Sequence, residues 1–282
     1  MQSPMNGAQR ASRHRTMRFA AFPILAMVIA FSGLVSNPAP AAAATPVKVV
    51  IVVGPVEGST AKYVRHAREY AALARSHGAY VVEVYSPRAT WTKVKAAAKG
   101  ANIFIYLGHG NGYPSPYGPF SALRRNGMGL NASSGHGNSN VKYYGQTHMR
   151  TSLHLDANAA VLLNHLCYAS GNSEPGRKLP TKAIAKKRAD GYASGFLRTG
   201  AKAVFANGHG SLSSIITDLL TSDKTVAQIF QDDRSFDGAR DFKFKSSKTA
   251  ATTVWMDPSS GSRYYHSVAG RLTLTAAQVR AG

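Results

Sequence analysis

The chain of 282 residues carries one cysteine and ten histidines, and two of those histidines repeat one setting, Gly108-His109-Gly110 and Gly208-His209-Gly210. The cysteine stands in Asn164-His165-Leu166-Cys167-Tyr168-Ala169-Ser170-Gly171. A thiol of ordinary pKa, about 8.5, is only a few per cent thiolate at neutral pH, so it needs a nearby imidazole to take its proton and return one to a leaving group. Gly110 adds a second capability: without a side chain, its N–H can approach a reacting carbonyl and, with the N–H of Cys167, hold an oxyanion. A single cysteine has no partner within the chain, which leaves an intermolecular bridge, an inert buried thiol or a working thiol. The same donors, His109, His165, Cys167 and His209, permit a zinc reading as well, but they lack the short helical spacing of zinc motifs and no carboxylate accompanies them.

These residues gain meaning from the elements that end at them. Val47–Val53 is a β-branched run closed by Gly54-Pro55 and predicts a buried strand. A helix follows, capped at Ser59 or Thr60 and stopped at Gly78. A strand over Val81–Tyr85, a helix over Thr90–Ala98 and a strand over Ile103–Leu107 come next. Ala159–Leu166 reads as a fourth strand, Thr181–Arg198 as an amphipathic helix and Ala203–Ala206 as a fifth strand. Ser213–Leu220 and Thr225–Phe230 are helical in pattern, and Thr252–Met256, Tyr264–Val268 and Arg271–Thr275 are short strand candidates. Strands alternating with helices predict an α/β fold, a three-layer αβα sandwich with a mostly parallel central sheet. The core spans about 47–230, and a small C-terminal β/α extension covers about 231–282.

In such sheets the ligand crevice lies beyond the carboxyl ends of the strands. The third, fourth and fifth strands leave into His109, Cys167 and His209, which places His109 and Cys167 on neighbouring strands. Alternation along the fourth strand puts His165 on the same face as Cys167, as a candidate lining of the substrate pocket. His209 is a further pocket candidate or a loop-forming residue. The acids available to read a basic substrate group are Asp156, Glu174 and Asp190. The segment from Gly108 to Asn158 is rich in Gly, Asn, Ser and Pro, and its aromatics Tyr113, Tyr117, Phe120, Tyr143 and Tyr144 mark it as an ordered wall or lid over the site.

The N-terminus bears on compartment. Arg10, Arg13, Arg15 and Arg18 precede an apolar run from Phe19 to Val35, then Asn37-Pro38-Ala39-Pro40 and Ala41 to Ala44. That order predicts a signal peptide over residues 1–44 and a secreted or envelope-associated product, Thr45 to Gly282, as a single domain with no stable transmembrane segment. The formal charge is +21, and loss of four arginines and no acid leaves +17. Such a surface attracts anionic cell-wall or surface polymers, while no motif points to specific nucleic-acid binding.

The strand-to-His-Gly segment IFIYLGHG, the strand-to-Cys segment AVLLNHLC with its small-residue turn ASG, and the later GYASGFLRTGAKAVFANG together resemble the caspase-like cysteine peptidases, which include gingipains, clostripain-type enzymes, separases and CHAT domains. The resemblance runs from about Val47 to Gly210. It implies a Cys-His dyad with Cys167 as nucleophile, His109 as acid/base and Gly110 helping to hold the oxyanion, acting on a peptide or amide substrate without a cofactor or metal. Leu166 stands where the family usually has a small residue, and His165 where Arg-specific clostripain-type members place an acid, so no preference for Arg or Lys is carried over. Some members are cut during activation, which directs attention to Arg177-Lys178 and Lys186-Lys187-Arg188. The opposing expectation is a catalytically silent binding module with the same fold, using its basic surface.

Overall fold

In the computed structural model, residues 45–282 are described. The expected signal peptide, 1–44, lies outside them. Among the described residues no helix is long and apolar enough to cross a membrane.

The N-terminal half alternates as its hydrophobic pattern requires: β1 (Lys48–Val53), α1 (Thr60–Ser76), β2 (Tyr80–Tyr85), α2 (Trp91–Ala98) and β3 (Ile103–Leu107). The long connection after β3 is ordered around a small antiparallel hairpin, β4 (Met128–Asn131) with β5 (Val141–Tyr144), followed by α3 (Gln146–Ser152). Then come β6 (Ala160–Asn164), α4 (Lys182–Phe196), β7 (Ala203–Asn207), α5 (Ser213–Thr221) and α6 (Val226–Asp232). The chain closes with β8 (Phe242–Lys245), β9 (Thr253–Asp257), β10 (His266–Gly270) and α7 (Ala276–Ala281).

The main sheet has the order β2-β1-β3-β6-β7-β10-β9-β8. β2, β1, β3, β6 and β7 run parallel, and β10, β9 and β8 continue antiparallel. The mostly parallel α/β sheet is therefore as expected. The C-terminal residues, expected as a small β/α extension, supply three strands to this same sheet and the helix α7. The region expected as a strand at Arg271–Thr275 is a turn leading into α7, whose cap Thr275 and Gln278 exchange hydrogen bonds in a capping box.

Strand alternation divides the sheet's apolar side chains between two layers. Val50, Val52, Phe104, Tyr106, Val161 and Leu163 face α2, α3, α4 and the hairpin. Val49, Ile51, Ile103, Ile105, Leu162 and Phe205 face α1, α5, α6 and α7. β1, β3, β6 and β7 are buried along nearly their whole length, which is why their sequences are continuous apolar runs rather than alternating ones. The result is helix on sheet on helix, with the carboxyl ends of β3, β6 and β7 side by side.

Candidate active site

β3 and β6 pair in parallel register with Leu107 opposite Asn164, so the chain leaves both strands at the same level. Gly108-His109-Gly110 departs from one and His165-Leu166-Cys167 from the other. Both glycines of the first turn are imposed by packing. A Cβ on Gly108 would run into the Tyr106 hydroxyl, and one on Gly110 would run into the carbonyl oxygen of Cys167 and lie 2.9 Å from its nitrogen. The backbones at the two exits thus touch, which places His109 and Cys167 on the wall of one cavity.

Two residues fix these exits, and neither had been singled out from sequence. Tyr106 is fully buried at the end of β3. Its hydroxyl accepts from the Gly129 N–H at 2.9 Å and has the carbonyls of Gly129 and His109 within donating distance, at 2.8 and 3.1 Å. It ties hairpin strand β4 to the turn carrying His109. Asn164, also fully buried, donates to the carbonyls of Asn207 and Gly210, both at 3.2 Å, and accepts from the Tyr70 hydroxyl at 3.0 Å. It bolts the β6 exit to the β7 exit and to α1. The signal was present in both cases: a polar atom at the end of an otherwise apolar strand must find a partner.

Past Asn164 the backbone turns sharply. His165 has φ 58° and Tyr168 φ 71°, two non-glycine residues in the left-handed region on either side of Cys167. Each such residue costs on the order of 1–3 kcal/mol and persists where the surroundings over-determine it. This break ends the strand two residues earlier than the Ala159–Leu166 reading and overturns the inference from alternation. His165 turns to the α1 side, its ring stacked on Tyr63 at 5.3 Å and near His66 at 5.6 Å, and it does not line the cavity with Cys167. Burial, with His66 and Lys62 close by, lowers its pKa to about 4.

The cavity has a volume of about 760 Å³. His109, Gly110, Tyr143, Cys167 and Glu174 line it, and the 117–125 segment completes the wall. Burial first, then the Glu174 carboxylate, pushes the Cys167 thiol up to about 11. Burial lowers the His109 pKa, against the opposing pull of Glu57 and Glu174. At neutral pH the resting pair is therefore a protonated thiol and a neutral imidazole, not a preformed ion pair. Among the described residues neither ring nitrogen of His109 has a hydrogen-bond partner, and no hydrogen bond joins it to Cys167. Catalytic hydrogen bonds of this kind commonly tighten only around substrate. Tyr143, on β5, faces the same cavity with its hydroxyl held protonated, its pKa pushed up to about 12 by burial and by Glu174.

Of the pocket candidates, Glu174 is in place: it accepts from the Tyr117 hydroxyl at 2.6 Å and faces Arg177 Nε at 3.9 Å. His209 is packed on Tyr265 at 4.1 Å, outside the cavity lining. Asp156 lies at the opposite, amino end of β6, where its N–H donates to Ala101, and five residues of strand, about 16 Å, separate the two ends. Asp190 is buried on α4, where its carboxylate accepts from Ser246 and Ser247. Among the described residues no three His, Cys, Asp or Glu side chains gather closely enough to hold a metal, so the zinc arrangement of His109, His165, Cys167 and His209 is not assembled.

The basic stretches after Cys167 separate. Arg177-Lys178 lies on an exposed turn. Lys186-Lys187-Arg188 is inside α4, and Arg188 is a buried strut: it donates to the carbonyls of Pro114 at 2.7 Å and Asn172 at 2.9 Å and to the Ser173 hydroxyl at 3.0 Å. It joins the loop after β3 to the loop after Cys167.

Comparison with known proteins adds no relative: no family model matches the chain, and neither the curated proteins nor the solved structures give a match.

Proposed function

We propose that this protein is a secreted cysteine hydrolase of the caspase-like type, acting on a peptide or amide bond. The observation that carries the reading is the meeting of a lone thiol and an imidazole on one open cavity at the carboxyl ends of adjacent parallel strands, with the Gly110 and Cys167 backbones in contact. As substrate enters, His109 takes the thiol proton and Sγ attacks the carbonyl carbon. The oxygen, now negative, lies against the N–H groups of Gly110 and Cys167, neither of which donates elsewhere among the described residues. His109 then returns the proton to the departing amine, leaving a thioester, which water cleaves with His109 again as base. Tyr143 adds a protonated hydroxyl to the wall, available as a donor to bound substrate.

The raised thiol pKa favours one competing reading, a binding module of the same fold in which the cavity holds a ligand and Cys167 stays protonated. A mixture of peptide amides incubated with the protein and followed by mass spectrometry separates the two. Cleavage lost in both Cys167→Ala and His109→Ala supports the hydrolase. Peptides retained intact by wild type and by Cys167→Ala alike would replace it with the binding module.

A further inference from the structure

Helix α4 and edge strand β8 together build a second feature, away from the Cys167 cavity and sharing no lining residue with it. Lys182 and Lys186 are one helical turn apart, and their ammonium groups stand over the rings of Phe242 and Phe244 at 3.9 and 4.6 Å. Lys186, Lys187 and Lys245 surround a shallow hollow of about 310 Å³. The acid lining this hollow, Asp190, has its carboxylate taken up by Ser246 and Ser247. Among the described residues none of these four lysines forms an ion pair.

Protection of an exposed sheet edge accounts for Lys245, and for Lys243 beside it, because edge lysines discourage pairing with another strand. It does not account for Lys182, Lys186 and Lys187, which sit on a helix where like charges one turn apart are unfavourable. Seating the Lys182 and Lys186 ammonium groups on aromatic faces holds these two charges one turn apart on the helix, with Lys187 next to them in sequence. Lysine binds phosphate as a point charge, so lysines in a row on one helix face match the repeated charges of a phosphate chain. The two rings are capped by lysine and so offer no open platform for nucleobases.

We propose that the α4–β8 face is a docking site for a linear phosphate polymer, independent of the reading of Cys167. The test titrates the full chain with fluorescently labelled inorganic polyphosphate at increasing salt, and sets the triple variant Lys182→Gln, Lys186→Gln, Lys187→Gln against an equally charge-reducing triple on α2 and the residue after it, Lys93→Gln, Lys95→Gln, Lys99→Gln. The α4 triple is expected to weaken binding at least 30-fold and to flatten the log–log salt dependence by about 2 to 3, while the control changes affinity less than 3-fold. Lys187→Gln alone, at an exposed position with no hydrogen bond, is expected to flatten it by about 0.7 to 0.9, which covers the case of a misfolded triple. Equal weakening by both triples would reduce the effect to general charge and overturn the site. Equal competition by polyglutamate would overturn phosphate as the ligand chemistry, and tighter binding of oligo-dT than of polyphosphate would replace the polymer with single-stranded nucleic acid.

Discussion

The backbone of Gly110 rests directly on that of Cys167: the side-chain position that glycine leaves empty is filled by the cysteine's own carbonyl group. A loop from β3 and a loop from β6 are thereby held at contact distance, and any side chain at residue 110 must push them apart. For the hydrolase proposed above, Gly110→Ala is expected to lower peptide cleavage at least 100-fold, because a shift of about 1 Å between reacting groups already has that effect. The substitution should leave the helix content in circular dichroism unchanged while costing about 1–3 kcal/mol in urea unfolding. Wild-type activity in Gly110→Ala would mean that the two loops move freely and that the contact positions nothing.

Glu174 adds to burial in setting the resting state of the thiol. Its carboxylate stands near enough to Cys167 to add to the effect of burial, and both act against the thiolate. Alkylation of wild type by iodoacetamide should therefore rise with pH toward an inflection near about 11, and remain slow at neutral pH. Glu174→Gln removes the negative charge, lowers the thiol pKa and moves the inflection down, so labelling at pH 8 becomes faster. An unchanged profile would leave burial as the whole cause.

Arg188 holds both loops of the site from below. Its guanidinium reaches Pro114, Asn172 and Ser173 and lies over the Tyr168 ring at 4.7 Å, at 7% exposure. Arg188→Met keeps much of the apolar stem but leaves two carbonyls and a hydroxyl without their donor, a loss of about 2–4 kcal/mol. Hydrogen exchange should quicken in residues 111–118 and 171–175 and stay unchanged in β1 and β3. Uniform quickening through the sheet would assign Arg188 to global stability instead.

What the sequence disclosed about this arrangement follows from which signals are local. Continuous apolar runs located β1, β3, β6 and β7 to within a few residues, with glycine closing all but β6, and strand order then brought the exits at His109 and Cys167 together. The turn after Asn164 was not legible, because a left-handed His165 is dictated by the bonds of Asn164 to β7 and α1, all of them long-range. Strand β8 escaped notice for a related reason. Its Phe-Lys-Phe-Lys alternation is only four residues long and draws its burial from α4, sixty positions earlier. The hairpin within 108–158 was hidden by its glycines, of which Gly129 leaves room for the His109, Tyr143 and Val141 side chains.

The C-terminal strands carry a buried acid-sensitive joint. His266, on β10, lies between two carboxylates, with Nε2 3.5 Å from Asp233 and Nδ1 3.6 Å from Asp257, and all three are at most 4% exposed. Burial works against the charge on Asp257, but His266 and the N–H groups of Asp237 and Gly238 outweigh it and hold the carboxyl below its ordinary range. A carboxylate whose folded pKa is depressed contributes stability that is present above its unfolded pKa and is lost as pH falls through the folded one. Below about pH 4 the joint therefore weakens, and β9 and β10 lose their tie to the 233–238 turn. Asp257→Asn removes the charge that accepts from the N–H groups of Asp237 and Gly238, so it should cost about 1.5–3 kcal/mol at pH 7 and lessen the further loss as pH falls below about 4. Urea unfolding of both proteins across that range measures this. Parallel stability curves would show that Asp257 does not titrate in the fold, and would move the acid sensitivity to another carboxylate.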